Sequence, residues 1–142
     1  MMDLLKDYLD YAVLGLLGFM SFLMLWLVIE RYLYFARLDL GGFDSLDELE
    51  VDLTRNLTTI GTIGANAPYI GLLGTVLGIL IAFFDMGQSG IIDTNTIMLG
   101  LALALKATAL GLVVAIPSIV FYNALLRRVD VLKVRWRKEH AA

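Results

Sequence analysis

No charged residue occurs between Asp10 and Glu30 or between Arg55 and Asp85, and only Lys106 interrupts the stretch from Asp93 to Arg127. Crossing a bilayer as helix takes about 20 apolar residues. Three segments meet that demand, running from Tyr11 to Ile29, from Ala67 to Phe84, and from Ile97 to Leu126. A chain of 142 residues with 59% hydrophobic and 18% charged residues has no use for this much apolar length in a water-soluble core. The expected fold is an all-α membrane protein with three transmembrane helices.

A cleaved leader fits the first apolar stretch poorly. Asp3, Asp7 and Asp10 oppose a single Lys6 ahead of it, and no small-residue cleavage site follows it. Orientation follows from the basic residues. Arg31, Arg37 and Arg55 fall in the first inter-span loop, and Arg127, Arg128, Lys133, Arg135, Arg137 and Lys138 follow the third span. The connection from Asp85 to Thr96 has none. The expected topology is N-terminus out and C-terminus in. The basic run beside a span then marks the inner side and anionic lipid rather than nucleic acid.

One domain is expected over the chain, with spans at about 11–29, 67–84 and 97–126, the last continuing as a cytoplasmic helix to about 138. Met1 to Asp10 should form a short amphipathic turn on the outer surface, with Leu4, Leu5, Tyr8 and Leu9 on one side. Gly41 and Gly42 should end the first helix. Ser45 and Glu48 then form a capping box that opens a cytoplasmic helix at about 45–59, with Leu46, Leu49, Leu53 and Leu57 on one face. Asp93, Thr94 and Asn95 are all suitable caps for the third span.

Within the spans the polar residues are few, and two threonines stand out. Gly71, Thr75, Gly78 and Ala82 share one face of the second span, and Gly74 with Gly78 adds a GxxxG pair. Ala104, Thr108, Gly111, Ala115 and Ser118 share one face of the third. Thr75 lies ~15 Å below Asp85 at 1.5 Å per residue, and Thr108 is at a similar depth. Small stripes pack helices closely. Hydroxyls set in them also mark conduction paths.

The third-span stripe continues through Tyr122, Leu125, Val129, Leu132 and Trp136, a seam of the kind that packs several copies around an axis. Pro117 interrupts one backbone hydrogen bond and predicts a kink or a water site. Lys106 points off the threonine stripe; snorkelling toward the outer headgroups is the expectation, with Asp85 and Asp93 as candidate partners.

Several chemistries lack residues. "GLLGTVLG" has no phosphate-loop lysine, and there is no cysteine and only one histidine, His140, in a tail expected to be frayed and solvated. No enzyme activity, metal or cofactor is expected. Threonine hydroxyls relay a proton but do not hold one near neutral pH. A proton path through these spans therefore requires a titratable group from a partner.

The segments "APYIGLLGTVLGI" and "ATALGLVVAIPSIVFYN" resemble the second- and third-span signatures of the MotA/TolQ/ExbB proton channel family, in its short ExbB form. The resemblance implies a homopentamer in the bacterial inner membrane, its second and third helices lining a pore with Thr75 and Thr108 on the proton pathway. It also implies an ExbD-like single-span partner bringing a membrane aspartate, and use of proton motive force to energise a TonB-like protein for outer-membrane import. A TolQ-type role in envelope integrity and a non-conducting membrane scaffold are the alternatives; three spans offer no inverted repeat for a solute transporter. Two departures stand out. Leu103 occupies a position where many relatives have glutamate, and the cytoplasmic loop is shorter than in long family members.

Overall fold

The structure, a computed structural model, describes residues 2–141, with side chains from Leu4 onward. The element order is α1 (Met2–Arg37), a 3-10 turn (Leu40–Gly42), α2 (Leu46–Leu53), α3 (Leu57–Ser89) and α4 (Thr94–His140). Among the described residues there is no strand, and three helices are long and apolar enough to cross a membrane.

The helices overrun the apolar stretches because nothing at the polar ends stops them. Met2 to Asp10 is not a separate surface turn but forms the first turns of α1; Met1 lies outside the described residues. At the other end α1 stops at Arg37, ahead of Gly41 and Gly42, which sit in the 3-10 turn that Asp39 caps by accepting the Gly41 N–H. The continuous helix expected at 45–59 is broken. Ser45 caps α2 by accepting the Glu48 N–H, but Asn56 takes a left-handed conformation (φ 69°) and starts a new helix. Leu57 to Thr59 thus belong to α3. Both Pro68 and Pro117 lie inside continuous helices.

The α2–α3 corner is held by a side chain that charge counting treats only as a topology marker. Arg31 is 2% exposed. Its guanidinium donates to the carbonyls of Asp52 (2.8 Å) and Leu53 (3.4 Å), satisfying the end of α2. It also forms a bidentate pair with Glu30 at 2.5 Å and lies 4.4 Å from the centre of the Tyr34 ring. The Asn56 amide donates to the same Glu30 carboxylate. The hydrogen bond from Arg31 is the main cause that holds the Glu30 carboxyl below its ordinary pKa.

The buried core runs along the bundle in two parts. Val13, Leu17, Met20, Met24 and Val28 of α1 face α3 and α4. Beyond them Leu49, Leu53, Leu57 and Ile60 pack with Leu125, Val129 and Leu132. The apolar face of α2 is thereby spent on the lower part of α4. The Trp136 indole donates to the Phe43 carbonyl at 3.2 Å, tying the far end of α4 to the loop. His140 is not frayed: it is the last residue of α4 and stacks on Trp136 with ring centres 4.1 Å apart.

Candidate functional site

The α3–α4 pair is antiparallel, and its register is set by small residues. A Cβ built on Gly71 meets the Ala107 carbonyl oxygen at 2.6 Å and the Gly111 Cα at 3.0 Å. A Cβ on Gly111 meets the Ala67 carbonyl oxygen at 2.6 Å and the Gly71 Cα at 3.0 Å. The two backbones touch there, which only glycine on both sides allows. The same register sets Gly78 against Ala104, Gly64 against Ser118 and Gly61 against Tyr122. Ala115 is buried between these points, and Pro117 is half-buried beside it.

Thr75 and Thr108 meet one turn from the glycine contact. Their hydroxyls are hydrogen-bonded to each other. Thr75 Oγ1 also lies 2.6 Å from the Ala104 carbonyl oxygen and 3.3 Å from that of Gly71. Thr75 is 7% exposed, whereas Thr108 is half-buried. The close backbone approach at Gly71–Gly111 puts these two short side chains within reach of one another.

Each hydroxyl has one proton and two lone pairs. With the Ala104 carbonyl 2.6 Å away and able only to accept, the single Thr75 proton goes to it and Thr108 is the donor between the two hydroxyls. The site is a short hydrogen-bonded chain that starts at Thr108, ends on a carbonyl and has no charge of its own. No Asp or Glu lies between Leu57 and Phe84 or between Thr94 and Leu126. An acid that exchanges protons with this wire must come from outside these segments.

The seam on α4 corrects one expectation. Ala104, Gly111, Ala115, Ser118, Leu125, Val129 and Leu132 are all buried within a single chain, against α3 and its neighbours. Periodicity identifies the face but not what covers it, so this stripe carries no argument for further copies. The apolar faces left open are elsewhere, including Leu72, Val76 and Leu80 on α3 and Leu112, Ile116 and Val120 on α4.

Lys106 is exposed and lies on another face of α4 from the threonine seam. It lines a cavity of about 70 Å³ between α1 and α4, together with Asp10, Val13, Leu103 and Ala107, and with Gly74 of α3. Of the two acids named for it from the sequence, Asp93 is occupied at the start of α4. It accepts from the Asn95 N–H and the Thr96 hydroxyl, and so is the cap chosen among the three candidates.

A second polar feature was not singled out by motif. At the other end of the α3–α4 seam, Thr58, Thr62, Asn66, Tyr122 and Asn123 line a groove of about 540 Å³. Thr62 donates to the Thr58 carbonyl and Asn66 to that of Thr62, so these side chains climb α3 turn by turn. The signal was present as isolated polar residues at fourfold spacing in an apolar run.

Comparison with known proteins adds an independent line. The MotA/TolQ/ExbB proton channel family matches residues 43–138. The chain is 57% identical over 136 residues to the biopolymer transport protein ExbB of Helicobacter pylori strain J99, covering 96% of this chain and 94% of that protein. It is 51% identical over 140 residues to the ExbB of Aquifex aeolicus, covering 99% and 95%. With the ExbB of Pseudomonas putida the 40% identity extends over 94 residues, 63% of this chain and only 29% of that longer protein.

Proposed function

The chain belongs to the MotA/TolQ/ExbB proton channel family, and from that premise we propose that it is the ExbB-type channel subunit of an energy-transducing complex in a bacterial inner membrane. The observation that carries the reading is the wire formed by the hydrogen-bonded hydroxyls of Thr75 and Thr108 in segments free of carboxylates. Such a wire moves protons only if a partner supplies the titratable acid, which fits an ExbD-like single-span protein with a membrane aspartate. On this reading the N-terminus lies in the periplasm and the C-terminus in the cytoplasm, an orientation supported by Arg31 and Arg37 at the end of α1, Arg55 at the α2–α3 corner and the basic residues at the α4 end.

On this reading several copies, a pentamer by analogy with the family, present Thr108 toward a shared path. The open apolar faces of α3 and α4 meet neighbouring copies or lipid. Proton flow then energises a TonB-like protein for outer-membrane import. Thr75→Val and Thr108→Val keep the shape and remove one hydroxyl each. TonB-dependent uptake should fall at least about tenfold in either variant, as befits loss of a transition-state interaction, while native mass spectrometry still records the full assembly with its partner. Normal uptake in both assembled valine variants would falsify the proton-path assignment.

A further inference from the structure

Lys106 is the one cation within the apolar segments, and its surroundings name a counter-ion. An ammonium in hydrocarbon costs several kcal/mol unless it is hydrated or paired. The cavity that Lys106 lines has a second charged wall, and it is Asp10 of α1. The rest of the lining is apolar: Val13, Leu14, Gly74, Leu103, Ala107 and Leu110. Asp85 lies ~16 Å further along α3 from Gly74 at 1.5 Å per residue. Asp93 is engaged at the α4 cap.

The carboxylate and the ammonium are not in direct contact; the ion pairs among the described residues are Glu30–Arg31 and Glu50–Lys133. The space between them suffices for several waters, since one needs roughly 10–15 Å³ of such volume and two or more polar partners. We infer that Asp10 is the counter-ion of Lys106, bridged to it through water in this cavity, and that the pair sets how α4 is turned against α1.

Turning matters because the next two residues are Ala107 and Thr108. A Cβ on Gly74 would meet the Ala107 Cβ at 3.0 Å and the side chain of Val13 at 3.2 Å, so α1, α3 and α4 come together within one turn of the lysine. Rotating α4 about its axis takes Lys106 from Asp10, Ala107 from Gly74 and Thr108 from Thr75 together. Asp10 and Lys106 are thus positioning residues for the threonine pair. The cation on α1 that lies within a turn of Asp10 is Lys6, which is half-buried.

The native chain has no cysteine, which permits a direct test on the full-length protein in membranes. The pair Asp10→Cys with Lys106→Cys should cross-link with a short bis-maleimide, whereas Ala12→Cys with Lys106→Cys, displaced around α1, should not. In SDS unfolding titrations Asp10→Asn and Lys106→Met should each lower the folded-to-unfolded ratio about tenfold. The charge exchange Asp10→Lys with Lys106→Asp should regain most of that loss, a rescue that simple packing does not produce. Equal cross-linking of both cysteine pairs, additive effects with no rescue, or coupling of Asp10→Asn to Lys6→Met instead would overturn the assignment. None of these readouts depends on proton conduction, so failure here and failure of the channel reading are separable.

Discussion

The α3–α4 contact and the α1 contact are built in opposite ways within the same bundle. At Gly71 and Gly111 the backbones of α3 and α4 themselves meet, and beside that contact lie two short hydroxyl side chains. Along α1 the buried residues facing the spans are Val13, Leu17, Met20, Met24 and Val28, larger side chains of which the two methionines are flexible. One interface is defined by the absence of side chains and the other by their bulk. A glycine contact has no slack, because an added methyl meets a carbonyl oxygen that its helix cannot move alone. A methionine contact adjusts by changing rotamer. The rigid interface carries the polar wire, and the adaptable one carries the outer helix.

The comparison is broken most severely at the glycines. Gly71→Ala or Gly111→Ala should cost about 3 kcal/mol by overpacking, read as loss of folded protein in SDS titration and of recovery in mild detergent. Unchanged stability in both would show that the backbones separate easily, and the contrast with α1 would fail.

A middle effect concerns the end of α1. Glu30 has its pKa lowered chiefly by its hydrogen bond from Arg31, so its contribution is present above the unfolded value near 4.5 and is lost as pH falls through the folded one. Stability at the α2–α3 corner should therefore decline on acidification below about pH 4.5. Glu30→Gln should flatten that decline, checked by hydrogen exchange of α2 amides across pH. A decline of equal size in the Gln variant would assign it to other carboxylates.

The smallest effects belong to the adaptable interface. Met24→Leu conserves volume and should cost under about 1.5 kcal/mol. Gly18→Ala, which adds a Cβ with nothing within 4 Å, should leave the fold unchanged or slightly firmer. A loss at Gly18 as large as that at Gly71 would reveal a second close contact, one made between chains.

Much of this was legible because apolar length and small-residue spacing are local properties. The three long helices, the Ser45 cap and the stripe that brings Thr75 to Thr108 follow from residues read a few positions apart. What was not legible required knowing which elements meet. The α4 stripe has the spacing of an oligomer seam, but α3 and α2 of the same chain cover it. Arg31 reads as an inside-facing charge, and its real partners are carbonyls at the end of another helix. For Lys106 the sequence offers snorkelling toward the outer headgroups, with Asp85 and Asp93 as the candidate acids. Only the alignment of α1 with Gly74 brings Asp10 into view. Asn56 broke the expected cytoplasmic helix through a left-handed backbone that side-chain periodicity does not encode.

The glycine contact has a mechanical consequence. Sliding α4 by one residue along α3 would drive Leu110 or Leu112 into the space that Gly111 leaves at Gly71, so the two helices have no axial play. A rod that cannot slip transmits motion by leaning. From Thr108 to Trp136 the uninterrupted α4 extends ~42 Å at 1.5 Å per residue. A lean of about 5° at the threonine level would then sweep the Trp136 end by about 4 Å over that length. That end is fastened to the Phe43 carbonyl. Any lean of α4 at the threonine level would therefore reach the Phe43 loop enlarged by the length of the helix.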